Sequence, residues 1–135
     1  LDHFKNINDT FGHAAGDEMI REMGNIILTN FRKTDIAGRI GGEEFAVVLK
    51  NASLEEAKKV AEQFRETVAR RKVIYGKQEI SFTVSIGVAA IRGNSDDINN
   101  IEDTIKKADE ALYKAKAKGR NCVAAAVYVN KNFVK

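Results

Sequence analysis

Proline is absent from the 135 residues, and no Ser- or Gly-rich stretch takes its place, so no segment has the composition of a linker. No internal repeat divides the chain. Cysteine occurs once, at Cys122, which excludes an internal disulfide, and its neighbours NCVAAAV read as a buried strand rather than a reactive thiol. Redox chemistry is therefore not expected. No apolar run reaches the length of a membrane helix, and the first residues carry no signal-peptide pattern, so a soluble, cytoplasmic domain is the expectation. An excess of one charge is also missing: the net charge of +3 is too small for a duplex-binding face, and nucleic acid is not an expected partner. What is present, 44% hydrophobic and 30% charged residues, has the size and balance of one globular domain with a single core.

Periodicity divides the chain into elements. Residues 17–31 place Met19, Ile20, Met23, Ile26, Ile27 and Phe31 at helical spacing, with Asp17 as a candidate cap. A second amphipathic helix is expected over 53–71, where Ser53 and Glu56 form a capping box and Leu54, Ala57, Val60, Ala61, Phe64 and Val68 make an apolar stripe. Residues 79–91, EISFTVSIGVAAI, are rich in β-branched types and too apolar for an exposed edge, so they read as a central strand in which Gly87 marks a bulge or a close contact. A third helix over 101–119 carries Ile101, Ile105, Ala108 and Leu112 on one face and ends at Gly119, and a last strand is expected over 121–129. Helices packed on one mostly antiparallel sheet, an α+β architecture, follow from this order.

Two places carry concentrated chemistry. In RIGGEEFAVVLK, residues 39–50, Gly41 and Gly42 read as a tight hairpin turn that lifts Glu43 and Glu44 to its tip on opposite faces. Such a pair is either a charged hairpin tip or a site for a hard divalent cation shared with substrate phosphates. The opening LDHFKNINDTFGHAAGD gathers Asp2, Lys5, Asn8, Asp9, His13 and Asp17 in what reads as a loop leading into the helix at Asp17. Asn and Asp side chains present the donors and acceptors that read a base edge, although Asp17 alone is also a common helix cap. Six of the 22 basic residues fall between Lys106 and Arg120, either a solvated helix face or a cradle in which Lys116 and Arg120, four apart, face a triphosphate.

Four ordered motifs, LDHFKNINDTFGHAAGD, RIGGEEF, TVSIGVA and ADEALYKAKAKGRN, together resemble the GGDEF domain of diguanylate cyclases. The resemblance covers residues 1–127, leaves 128–135 as a tail, and implies a fold like the palm of adenylyl cyclases and polymerases. It implies an enzyme that condenses two GTP into cyclic di-GMP with release of two pyrophosphates, using Mg2+ or Mn2+ and a homodimer in which each subunit holds one GTP. By the same resemblance Glu43 binds metal and serves as base for the 3′-hydroxyl, with Glu44 supporting it. Asn8 and Asp17 read guanine, His13 contacts substrate, and Gly41 and Gly42 admit phosphates and ribose. The amides of Phe4 and Lys5 cradle phosphates that Lys116 and Arg120 neutralise. Arg32 and Asp35, in RKTD, stand at the RxxD spacing of the family's product-inhibition site, where cyclic di-GMP binds, while Gln63 stands where some relatives carry a secondary inhibitory arginine. In the family a further metal-binding aspartate precedes the position of Leu1, so this chain begins with its first strand largely missing, and Leu1 offers only a backbone carbonyl to the metal. An N-terminal sensory or dimerisation domain is implied, and any membrane anchoring belongs to that part. The alternative is a non-catalytic relative that senses GTP or cyclic di-GMP.

Overall fold

The computed structural model describes residues 1–91 and 98–126. Ten elements follow in order: α1 Phe4–Phe11, α2 His13–Asn30, β1 Ile36–Gly41, β2 Glu44–Val48, α3 Leu54–Arg70, β3 Val73–Tyr75, β4 Gln78–Ile80, β5 Ile86–Val88, α4 Ile98–Ala117 and β6 Val123–Ala125. The α+β class is as expected, and two of the three strand ladders, β1–β2 and β3–β4, are antiparallel, while β5–β6 is parallel.

The first correction concerns the opening segment, which is a helix and not a loop. Phe4, Ile7 and Phe11 recur at helical spacing, with Ile7 buried and the two rings packed on the core. Gly12, at φ 93, breaks the helix, and α2 starts directly after it at His13. Asp17 therefore lies inside α2 and caps nothing. The polar residues between the three apolar ones concealed a stripe that is short but sufficient. At the crossing of the two helices Gly16 is buried, and a Cβ there would stand 1.8 Å from Asn8 Oδ1. Close approach is what the glycine provides.

The helix α3 meets its expectation: the Ser53 side chain accepts a hydrogen bond from the Glu56 amide, and Ala61, Phe64 and Val68 are buried. Phe64 stacks at a tilt on Phe31 with ring centroids 5.2 Å apart, joining α3 to the end of α2. The main core combines this pair with Met19, Met23 and Ile26 of α2 and with Ile80, Phe82 and Val84.

A second correction divides the long central strand. Ladder pairing is confined to β4 and β5, and residues 81–85 between them join no ladder. Their side chains still alternate as on a strand: Phe82 and Val84 are buried in the core, while Thr83 and Ser85 turn toward Asp2. Apolarity and β-branching bury a segment, but a ladder also needs a neighbouring backbone, and here the Asp2 amide supplies one bond, to the Thr83 carbonyl, at 2.9 Å. Gly87 marks a close contact: a Cβ there would lie 2.1 Å from the Ala108 carbonyl oxygen, so α4 rests on the backbone of β5.

The end of α4 is a Schellman motif. Gly119, at φ 114, donates its amide to the Lys116 carbonyl and Arg120 donates to that of Ala115, as the expected glycine cap requires. Residues 127–129 of the expected last strand and the tail 128–135 lie outside the described residues. No described helix is long and apolar enough to cross a membrane.

Candidate functional site

The hairpin tip differs in detail from its expectation. Gly41 pairs with Glu44, so the two turn residues are Gly42 and Glu43, with an irregularity in register between Arg39 and Gly41. Neither Gly41 nor Gly42 adopts a left-handed φ. A Cβ at either would meet open space, so the chain's own conformation and packing do not require glycine there. The Arg39 side chain braces the turn by donating Nε–H to the Gly42 carbonyl at 2.9 Å. Glu43 is half-buried and Glu44 exposed, so the two carboxylates do occupy different surroundings.

Leu1 joins the tip to the rest of the site. Its backbone nitrogen donates to the Glu43 carbonyl at 3.0 Å. Leu1 thus touches the hairpin tip, and Lys116 in the last turn of α4 lies near it. Among the described residues no group of three or more His, Cys, Asp or Glu is placed to hold a metal ion. Glu43, with Glu44 beside it, nevertheless suits a magnesium ion, which binds through one or two carboxylates and takes its remaining ligands from substrate phosphates and water.

Asp2, noted in the sequence without a role, is the one charged residue among those described that is buried as a whole residue. Its carboxylate accepts from Thr83 Oγ1 at 2.7 Å, Ser85 Oγ at 2.6 Å and the Asn121 amide at 3.0 Å. Burial by itself would raise its pKa, but the bonds from Ser85, Thr83 and Asn121 outweigh that and hold the carboxyl below its ordinary value. Asp2 ties together the start of α1, the 81–85 segment and the loop after α4. Only a regular alternation, Thr83 and Ser85 between apolar neighbours, could have signalled it in the sequence.

The α1–α2 crossing brings Asn8 over Gly16, the residue before Asp17, which puts Asn8 and Asp17 on adjacent helices. His13 is exposed at the first position of α2. Phe4 and Lys5 open α1, whose N-cap residue His3 has φ 55 and makes no side-chain cap, so the first amides of the helix lack that partner. Lys116 is half-buried near Leu1, but Arg120 lies beyond the end of α4 at φ 65, so the two are not neighbours on one helical face. That is a third correction, and the Schellman ending is its cause.

Arg32 and Asp35 form a separate cluster. The guanidinium donates from Nε and Nη2 to the Asp35 carboxylate at 3.3 and 3.1 Å and from Nη2 to the Lys50 carbonyl at 2.9 Å. The hydrogen bonds from Arg32 hold the Asp35 carboxyl below its ordinary pKa. Beside them a cleft of about 250 Å³ opens between the end of α2 and the start of α3, lined also by Phe31, Glu56 and Val60.

The candidate residues thus lie on an acidic hairpin tip, a basic helix end, two adjacent helices and a helix start without a side-chain cap. The model of the family described as "Diguanylate cyclase, GGDEF domain" matches residues 1–122, and the chain belongs to that family. It is 44% identical over 123 residues to diguanylate cyclase A of Treponema denticola, covering 91% of this chain and 32% of that protein. The fold matches the coiled coil and GGDEF domain of DgcB from Caulobacter crescentus in complex with c-di-GMP, with a TM-score of 0.80 and 31% identity over 93% of this chain and 65% of that one. It also matches the active GGEEF domain of a diguanylate cyclase from Vibrio cholerae, with a TM-score of 0.75 and 32% identity over 95% of this chain and 79% of that one. The chain therefore spans about a third of the length of this curated relative.

Proposed function

We propose that this chain is the catalytic domain of a diguanylate cyclase, condensing two GTP into cyclic di-GMP and two pyrophosphates between two copies of the domain. The observation that carries the reading is the GGEEF hairpin, with Glu43 half-buried at its turn and its carbonyl bound by the Leu1 nitrogen, in a chain that matches the family over residues 1–122. A carboxylate at a turn with open space above its glycines is what a metal-assisted nucleotidyl transfer needs.

Asn8 and Asp17 hold the guanine edge, and the aspartate suits the N–H donors of guanine. The amides of Phe4 and Lys5, with Lys116 and Arg120, hold the triphosphate. Glu43 accepts the 3′-hydroxyl proton while Glu44 supports it; the 3′ oxygen bonds to the α-phosphorus of the facing nucleotide as that phosphorus releases pyrophosphate. Repetition in the other direction closes the ring. A divalent cation, Mg2+ or Mn2+, held by Glu43 and the Leu1 carbonyl, would neutralise phosphate charge. The glycines at 41 and 42 leave open space above the turn for ribose and phosphate.

The test is conversion of GTP to cyclic di-GMP and pyrophosphate in Mg2+, followed chromatographically in the full-length protein. Glu43→Gln is expected to lower turnover by about 100-fold or more while GTP binding persists, since loss of a general base costs roughly that much. Unchanged turnover would refute the assignment of Glu43. GTP or cyclic di-GMP binding without product in the wild type would replace the enzyme with a sensor module.

A further inference from the structure

Arg120 and Asn121 are consecutive non-glycine residues in the left-handed region, at φ 65 and 47. Asn tolerates that region, but a long side chain such as arginine does so only where the surroundings hold it. Both sides of Arg120 are held. Before it, its own amide is bound to the Ala115 carbonyl at 3.2 Å. After it, Asn121 is gripped twice: its amide by Asp2 at 3.0 Å, and its side-chain oxygen by Arg65 Nη1 at 2.9 Å. Arg65 is itself aimed, because Glu62, one turn earlier on α3, takes its Nε in a two-oxygen contact at 3.0 and 3.1 Å and its Nη2 as well. Only 17% of the Arg65 side chain is exposed. Among the described residues its polar partners are Glu62, Glu66 and Asn121, none of which has been given a place in the substrate site.

We propose that Arg65 is a positioning residue for the triphosphate: through Asn121 it holds the strained loop that directs the Arg120 guanidinium to the phosphates. This rests on the reading of Arg120 as a phosphate contact. The planar fork of Arg65 suits the task, because one edge is spent on Glu62 and the other nitrogen remains for Asn121. Lysine cannot span both. Freed from Arg65, the loop loses one of its two anchors at Asn121, and Arg120 relaxes toward the right-handed backbone that its side chain prefers.

The experiment titrates the protein in Mg2+ with α,β-methylene GTP, which cannot release pyrophosphate, and with guanosine, which has no phosphate, both followed by NMR. Arg65→Ala is expected to weaken the triphosphate about tenfold, the loss of one charged contact, and to leave guanosine unchanged. Arg65→Lys, which keeps the stem and the charge, is expected to fall between. In an Arg120→Ala background, Arg65→Ala should cost nothing further, because its target is gone. Equal triphosphate affinity in Arg65→Ala, a parallel loss of guanosine, or an undiminished penalty without Arg120 would each overturn the proposal while leaving the cyclase reading in place. A wild-type protein that binds neither ligand would bring down that reading and this one together.

Discussion

At the scale of single residues, burial decides which acidic side chains are structural and which are free to act. Asp2 and Glu43 both stand close to Leu1, yet Asp2 is sealed under three donors while Glu43 remains half-buried at a hairpin turn. A fully bonded carboxylate cannot take a proton from substrate without losing its partners. Asp2 instead contributes a pH dependence. Its folded pKa lies below the ordinary value of about 3.9, so its stabilisation is complete above that value and is lost as pH falls through the depressed folded one. Asp2→Asn, which removes acceptors from Thr83, Ser85 or Asn121, is expected to cost about 2 kcal/mol at pH 7. That difference should shrink toward zero at strongly acid pH, which thermal melts of both proteins across the pH range would check. A constant gap at every pH would show that the charge of Asp2 has no part in holding the loop.

Among elements, glycine contacts fix two packing distances with different tolerance. At Gly16 the obstructing atoms belong to side chains, Asn8 and Phe4, which can rotate away, displacing Asn8 from its place over the glycine. At Gly87 they are backbone, the Ala108 carbonyl and the Leu112 amide, so α4 itself must move. Gly87→Ala should therefore destabilise the fold by about 1–3 kcal/mol, an overpacking cost, read as a lower urea midpoint with unchanged slope. Because α4 ends at the loop bearing Arg120, the same substitution is expected to weaken triphosphate binding. Gly119, by contrast, is needed for its left-handed φ, and the two glycines at 41 and 42 for neither reason. Space left open on the protein side is consistent with a ligand on the other.

For the whole molecule, two polar clusters lie apart: the junction at Leu1, and Arg32 with Asp35 beside the cleft between α2 and α3. Arg32 is bound within its own chain, but its side chain is 61% exposed, so its outer edge can still reach a phosphate. On the product-inhibition reading, Arg32→Ala is expected to weaken cyclic di-GMP binding by more than about tenfold, with GTP affinity unchanged, in calorimetric titrations of each. Equal affinity for cyclic di-GMP would remove this cluster from the regulatory account. Local signals in the sequence determined much of this protein: the capped helix α3, the glycine end of α4, the hairpin with its glutamates and the family itself, because caps, turns and apolar stripes act over a few residues. They did not determine α1, whose three apolar residues are isolated by polar ones, nor the break between β4 and β5, since a ladder depends on which backbone lies alongside. Nor did they reveal the grip on Asn121, whose partners Asp2 and Arg65 lie far from it along the chain. Only tertiary structure brought these groups together, because burial of a charge is set by everything that packs around it.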